Sequence, residues 1–184
     1  MNDYTIPRPA AGDIVDLITA DHRLLEDLMR AMRDQEADRD AARAAFSGLL
    51  VAHSEAEEEI VYPRLKSKKV IDGEEEEHGE KEHAATNEAL LHLLQAKGTD
   101  TQKFEDALEA VAEVLNHHIG EEELSILNPA REDAPEELRQ RLGEAWSQKR
   151  NALLGDDCGA RESVEQIVRQ AYTDELLPND DQPE

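Results

Sequence analysis

The residues best equipped for chemistry in this chain are histidines and carboxylates that recur at helical spacing. His53 and Glu57 stand four positions apart, as do His118 and Glu122, and such pairs lie on one face of a helix. Each pair aims an imidazole and a carboxylate at one point. A solitary histidine precedes each pair on an earlier helical stretch: His22 lies 31 residues before His53, and His83 lies 35 before His118. Two hairpins of one plan, each giving one histidine and one His-x-x-x-Glu pair, describe a shared metal centre inside a helical bundle. Four imidazoles and two carboxylates, with no thiolate, suit iron, manganese or zinc rather than cuprous copper or an iron–sulfur cluster.

Spacing alone is weak evidence in a chain where 44 of 184 residues are acidic. Five of the seven histidines (His22, His53, His78, His117 and His118) have a glutamate four residues on. Helical phase separates them. Phe104, Leu108, Val111, Leu115, His118 and Glu122 step along one apolar stripe, whereas His117 and Glu121 are rotated about 100° from it. His22 falls within a stripe of Ile14, Ile18, Leu25, Met29 and Met32, and His83 lines up with Asn87, Leu90 and Leu94. His78 precedes His83 by five residues, about 140° around a regular helix, so it is an extra ligand only if the helix is locally distorted. Glu26 is matched to Arg30 and stays outside the site. The inward stripes carry no Lys or Arg, and burying unpartnered carboxylates costs on the order of several kcal/mol each. Cations must come from elsewhere, and a metal centre is the economical source.

Positioning these groups requires an all-α fold, an up-down four-helix bundle with one or two extra C-terminal helices. The first helix starts at an Asp13 N-cap and runs to about Asp34. The second spans about Asp40 to Lys66 and loosens near Tyr62, because Pro63 lacks an N–H and crowds the preceding turn. Glu55, Glu58 and Glu59 are read there as solvated charge. The third runs from Glu74 to about Lys97, stopping near Gly98. The fourth ends at Asn128-Pro129 and the turn residues that follow. Residues 1–12 form a flexible lead, 13–130 the bundle, 131–177 a helical extension carrying Trp146, and 178–184 a disordered acidic tail. The extension could cover the bundle, gate the site or make a homodimer.

Composition narrows the partners. A formal charge of −24 repels phosphate backbones and anionic lipid, and 3% aromatic content leaves no platform for stacking bases. No apolar run approaches a membrane span, and the amino terminus has no signal core. The expectation is a cytoplasmic protein with neither nucleic-acid nor membrane partners. Cys158 is an incidental thiol.

The set of His22, His53-x-x-x-Glu57 running into Glu-Ile-Val-Tyr-Pro, Glu82-His83 and His118-x-x-x-Glu122 resembles the hemerythrin-like HHE cation-binding domains. That resemblance, over roughly residues 13–130, implies a non-haem di-iron centre with an oxo or hydroxo bridge. The residues by themselves leave manganese open. With both glutamates bridging, about two of roughly twelve coordination positions stay open for a small ligand. Oxygen carriers of this family close their site with His-x-x-x-x-Asp and add a fifth histidine one turn before the third-helix ligand. Here the closing motif is His-x-x-x-Glu and the extra histidine is mis-spaced. The resemblance therefore implies chemistry with O2, H2O2 or NO, in stress sensing or catalase-like detoxification, rather than reversible oxygen carriage. An iron buffer or iron-responsive stability switch, and a metal-free helical interaction protein, are the alternatives.

Overall fold

A computed structural model describes residues 4–178, and they fold entirely as helices and their connections. Helix α1 (Ile14–Arg33) pairs with α2 (Arg39–Ala56), and α4 (Gly73–Gln95) pairs with α5 (Gln102–Glu122). These four make the up-down bundle. Each begins at a side-chain cap that satisfies otherwise orphaned amides: Asp13 accepts from the Val15 N–H, Asp38 from Ala41 and Thr101 from Phe104. Asp72 and Glu75 form a reciprocal capping box at the start of α4.

Both ligand-bearing helices change winding just beyond their His-x-x-x-Glu pair. A π-helical turn at Glu57–Val61 leads into α3 (Tyr62–Ser67), and a second at Glu123–Leu127 leads into α6 (Asn128–Asp133). The Tyr62 N–H bonds the Glu57 carbonyl and the Asn128 N–H bonds that of Glu123. A proline follows in each case, Pro63 or Pro129. Widening the preceding turn relieves the clash of its ring with the carbonyl four residues back. The loosening expected near Tyr62 takes this form. At Pro129 the expectation of a helix end is corrected: the helix continues to Asp133 and stops before Pro135, whose ring disfavours helical geometry in the residue preceding it.

Two apolar clusters fill the bundle. One joins the distal halves of α1, α2, α4 and α5 with α8 (Arg161–Thr173), and the other joins the start of α1, the α3 and α6 regions, and α7 (Glu136–Leu153). Of the roles open to the extension, covering the bundle is the one its packing displays. Trp146 and Val164 are wholly buried on it. Along α1 and α2 the ligand candidates fall where one cluster gives way to the other: His22 between Ile18 and Leu25, His53 between Val51 and Ala56. The polar centre is thus insulated above and below by hydrocarbon.

Residues 4–12 have no regular structure, but they are not loose. Arg150 donates to the Pro7 carbonyl, Asn151 to that of Pro9, and Arg8 to the carbonyls of Asn151 and Leu154. This ties the expected flexible lead to α7. Of the expected disordered tail, residues 179–184 lie outside the described residues.

The seat of the lead on α7 depends on Gly143, where an added Cβ would lie 1.9 Å from the Gly12 carbonyl oxygen. Gly143→Ala is expected to lower unfolding stability by about 1–3 kcal/mol. The readout is a reduced urea midpoint with unchanged slope, and an unchanged midpoint would show that the contact carries no stability.

Candidate metal centre

Helix α1 supplies His22, α2 supplies His53, the π turn that follows it supplies Glu57, α4 supplies His83, and α5 supplies His118 and Glu122. All six are at most 2% exposed. Their donor atoms form two groups that could hold a metal ion: His22, His53, Glu57 and Glu122 in one, and Glu57, His83 and His118 in the other. Glu57 is common to both, its Oε1 3.2 Å from His53 Nε2 and its Oε2 3.4 Å from His83 Nε2. Glu122 belongs to the first group, with Oε2 3.0 Å from His22 Nε2. Its other oxygen accepts a 2.8 Å hydrogen bond from Tyr62 Oη.

Tyr62 therefore does reach over the site. It is fully buried and stacks on His83, with ring centroids 5.7 Å apart. The remaining histidines lie elsewhere. His78 and His117 are more than half exposed and face the Glu82 carboxylate from outside, at 3.4 and 3.3 Å. His92 is exposed. Glu26 bonds Arg23 and Arg30, as its spacing suggested.

What the periodicity missed is a ring of outer carboxylates, one for each imidazole. His22 Nδ1 meets Glu123 at 3.1 Å, His83 Nδ1 meets Glu58 at 2.7 Å, His118 Nδ1 meets Glu82 at 3.0 Å, and His53 Nδ1 lies 3.4 Å from Asp21. A carboxylate at Nδ1 holds that proton, so the Nε2 lone pair is left facing the centre, as metal-ligating histidines require. Glu58 is thus corrected from solvated charge to a structural partner. Successive helical residues point about 100° apart, so Glu57 can face the centre while Glu58 reaches round to a histidine on α4. Glu122 and Glu123 repeat the arrangement toward α1. The signal was present in the dipeptides Asp21-His22, Glu82-His83, Glu57-Glu58 and Glu122-Glu123.

Without a cation the centre is poorly satisfied. Both nitrogens of His53, His22 Nε2, both oxygens of Glu57 and Glu122 Oε2 are buried with no aligned hydrogen-bond partner on the protein. His83 Nε2 and His118 Nε2 face each other at 3.0 Å. Burial, with the neighbouring Glu122 charge, holds the Glu57 carboxyl well above its usual range. Burial would also raise Glu122, but His22 beside it holds it well below that range. Buried acceptors that lack partners cost roughly 1–3 kcal/mol each, and more when charged. This donor set, orphaned and inward-facing, fits metal ions.

The comparisons with known proteins agree. The family model described as the hemerythrin HHE cation binding domain matches residues 13–130. The chain belongs to that family. The match ends before α7 and α8, so both helices are additions to the hemerythrin-like bundle. The chain is also similar to a protein named DNA nickase from Nostoc sp., 27% identical over 128 residues. That similarity covers 68% of this chain but only 35% of the relative. No solved structure matches. Among the described residues, no helix is long and apolar enough to cross a membrane.

The electrostatics give opposite pH slopes for the metal-free protein. Burial would lower the His22 pKa, but the Glu122 and Glu123 carboxylates raise it to about 9. Folded His22 therefore keeps a proton that the unfolded chain releases above 6.5, and stability is lost as pH climbs from there through about 9. Burial pushes His53 down to about 4 and His83 to about 3. The unfolded chain protonates these first, so stability also falls as pH drops below about 6.5. Denaturant unfolding of chelator-treated protein should show losses on both flanks. A profile flat from pH 5 to 9 would contradict this account.

Proposed function

We propose that this hemerythrin-family protein is a cytoplasmic di-iron protein that senses or removes a small oxidant: O2, H2O2 or NO. The observation that supports it is the convergence of four imidazole Nε2 atoms and two carboxylates in a buried centre, with an acidic partner facing the outer nitrogen of every imidazole. His22, His53, Glu57 and Glu122 would hold one ion, and Glu57, His83 and His118 the other. An all-nitrogen and oxygen set, with four imidazole or carboxylate donors in one group and three in the other, suits iron more than a soft metal. When bound, two iron ions supply open coordination positions and a two-electron exchange with the oxidant.

The chain's own groups have defined tasks in this reading. The outer carboxylates fix the imidazole tautomers and ring orientations. Tyr62 anchors Glu122 through one oxygen and leaves the other facing His22. The flanking apolar clusters keep bulk water from the centre, which strengthens every charge interaction inside it. The second group has two imidazoles and one carboxylate against the first group's two and two. An ion held by Glu57, His83 and His118 would therefore have the more open positions for an incoming ligand.

The activity in the Nostoc relative's name is not proposed for this chain: a net charge of −24 opposes approach to a phosphate backbone, and the similarity spans 35% of that relative.

Purified protein loaded anaerobically with ferrous iron is expected to retain about two irons per chain. It should develop a visible absorption band on oxidation and consume H2O2 or bind NO. His53→Ala and His118→Ala should each lower iron content by half or more, and the double variant should abolish the band. Full folding with no retained iron would overturn the metal-centre reading. Two retained irons with no response to any of the three oxidants would favour an iron buffer instead.

A further inference from the structure

The metal-centre reading assigns no task to the most deeply buried arginine among the described residues. Arg150 sits on α7, beyond the matched domain, with a side chain at 0% exposure. Its guanidinium grips Asp21 bidentately, Nε to Oδ2 at 2.5 Å and Nη2 to Oδ1 at 2.7 Å. Asp21 Oδ2 is the same atom that lies 3.4 Å from His53 Nδ1. Four residues before Arg150 on the same helix face, Trp146 meets the His53 ring edge-on at a centroid separation of 6.0 Å. Arg150 also stands over the Trp146 ring at 5.4 Å. One side of His53 is thus flanked by Trp146 of α7 and by the Asp21 carboxylate that Arg150 of α7 holds.

The four outer carboxylates are not held alike. Glu123 and Glu58 are about one-third exposed, and Glu82 is met from solvent by His78 and His117. Glu123 is also bonded by Arg23, which is itself half exposed. Only Asp21 is gripped by a buried cation. A bidentate Arg–carboxylate pair fixes the plane of the carboxylate, and an aspartate so fixed determines where its remaining lone pairs point.

We infer that Arg150 is a positioning residue for the metal centre: through Asp21 it sets the orientation of His53, so the C-terminal helix controls how firmly the ion beside His22 and His53 is held. Helix α7 is then a working part of the centre rather than a cover. The inference rests on the metal-centre reading. It adds an asymmetry: one ion is secured from the C-terminal extension, and the other is secured by partners open to solvent. Losing an outer partner of a metal-ligating histidine typically weakens binding by about 10–100-fold, and that loss should fall on one ion of the two.

The test uses the full chain loaded with iron, challenged with graded chelator, in Arg150→Lys, Arg150→Met and Asp21→Asn variants. Arg8→Ala is the control, since Arg8 tethers the lead to α7 through the Asn151 and Leu154 carbonyls but touches neither Arg150 nor Asp21. Two readouts are taken: iron retained per chain, and the rise in thermal midpoint between metal-free and loaded protein. Arg150→Met and Asp21→Asn are expected to give up one iron of the two at about 10–100-fold lower chelator concentration than the unsubstituted protein. Their loaded-minus-free midpoint difference should shrink. Arg150→Lys, which keeps the charge without the fork, should fall between. Arg8→Ala should leave iron retention and the loaded-minus-free midpoint difference unchanged even if it lowers both midpoints.

A purely structural role predicts that every variant lowers the two midpoints equally and releases both irons at the unsubstituted chelator concentration. That outcome overturns the inference. Should Arg150→Met fail to fold, Arg150→Lys and Asp21→Asn decide by the same criteria. Failure of the unsubstituted protein to hold iron would overturn the metal-centre reading itself, a result distinguishable from two irons held equally in every variant.

Discussion

The structure depends on one constraint: two carboxylates and four imidazoles share a space from which water is excluded, and their lone pairs point at one another. Charge in such a place is expensive unless it is compensated. Part of the compensation is visible in the protein, where Tyr62 donates to Glu122 and outer acids face the Nδ1 atoms. With both inward carboxylates ionised and the imidazoles neutral, as metal ligation requires, that ring adds negative charge around a centre already negative. The surplus is what a pair of cations would neutralise. It also explains why the bundle places hydrocarbon on both sides of the centre, since insulation makes the cation–ligand attraction strong as well as making its absence costly.

The two hairpins solve this constraint by exchange. Within each hairpin, the acid preceding the solitary histidine serves the second histidine of that hairpin: Asp21 for His53, and Glu82 for His118. Between hairpins, the acid following each inward glutamate serves the solitary histidine of the other: Glu58 for His83, and Glu123 for His22. The inward carboxylates and the crossed outer ones tie the halves together around the site. The π turns begin within these acidic pairs, at Glu57 and at Glu123, and their prolines follow each turn after one intervening residue.

Much of this was legible in the amino-acid order. Phase along the fourth helix chose His118 over His117, and the structure buries the first while leaving the second 67% exposed. The Asp13 cap and the loosening before Pro63 follow from local chemistry that a few neighbouring residues determine. Helix periodicity failed where partners come from other helices. It sees Glu58 and Glu123 only as lying off the apolar stripe, because the imidazoles that hold them belong to segments 25 and 101 residues away. Arg150 was hidden for the same reason, 129 residues from the aspartate it grips. The inner stripes of the four core helices carry no such cation, because Arg150 reaches the bundle from α7, outside them. Pro129 misled because proline is compatible with the first turn of a new helical segment, where no backbone donor is needed.

The most direct test of the central claim is X-ray absorption at the iron edge of the loaded protein. The account predicts nitrogen and oxygen neighbours only, with the outer-atom scattering of about two imidazoles per iron and a short iron–iron vector. An iron environment of oxygen ligands alone, without imidazole scattering or a second iron nearby, would contradict it.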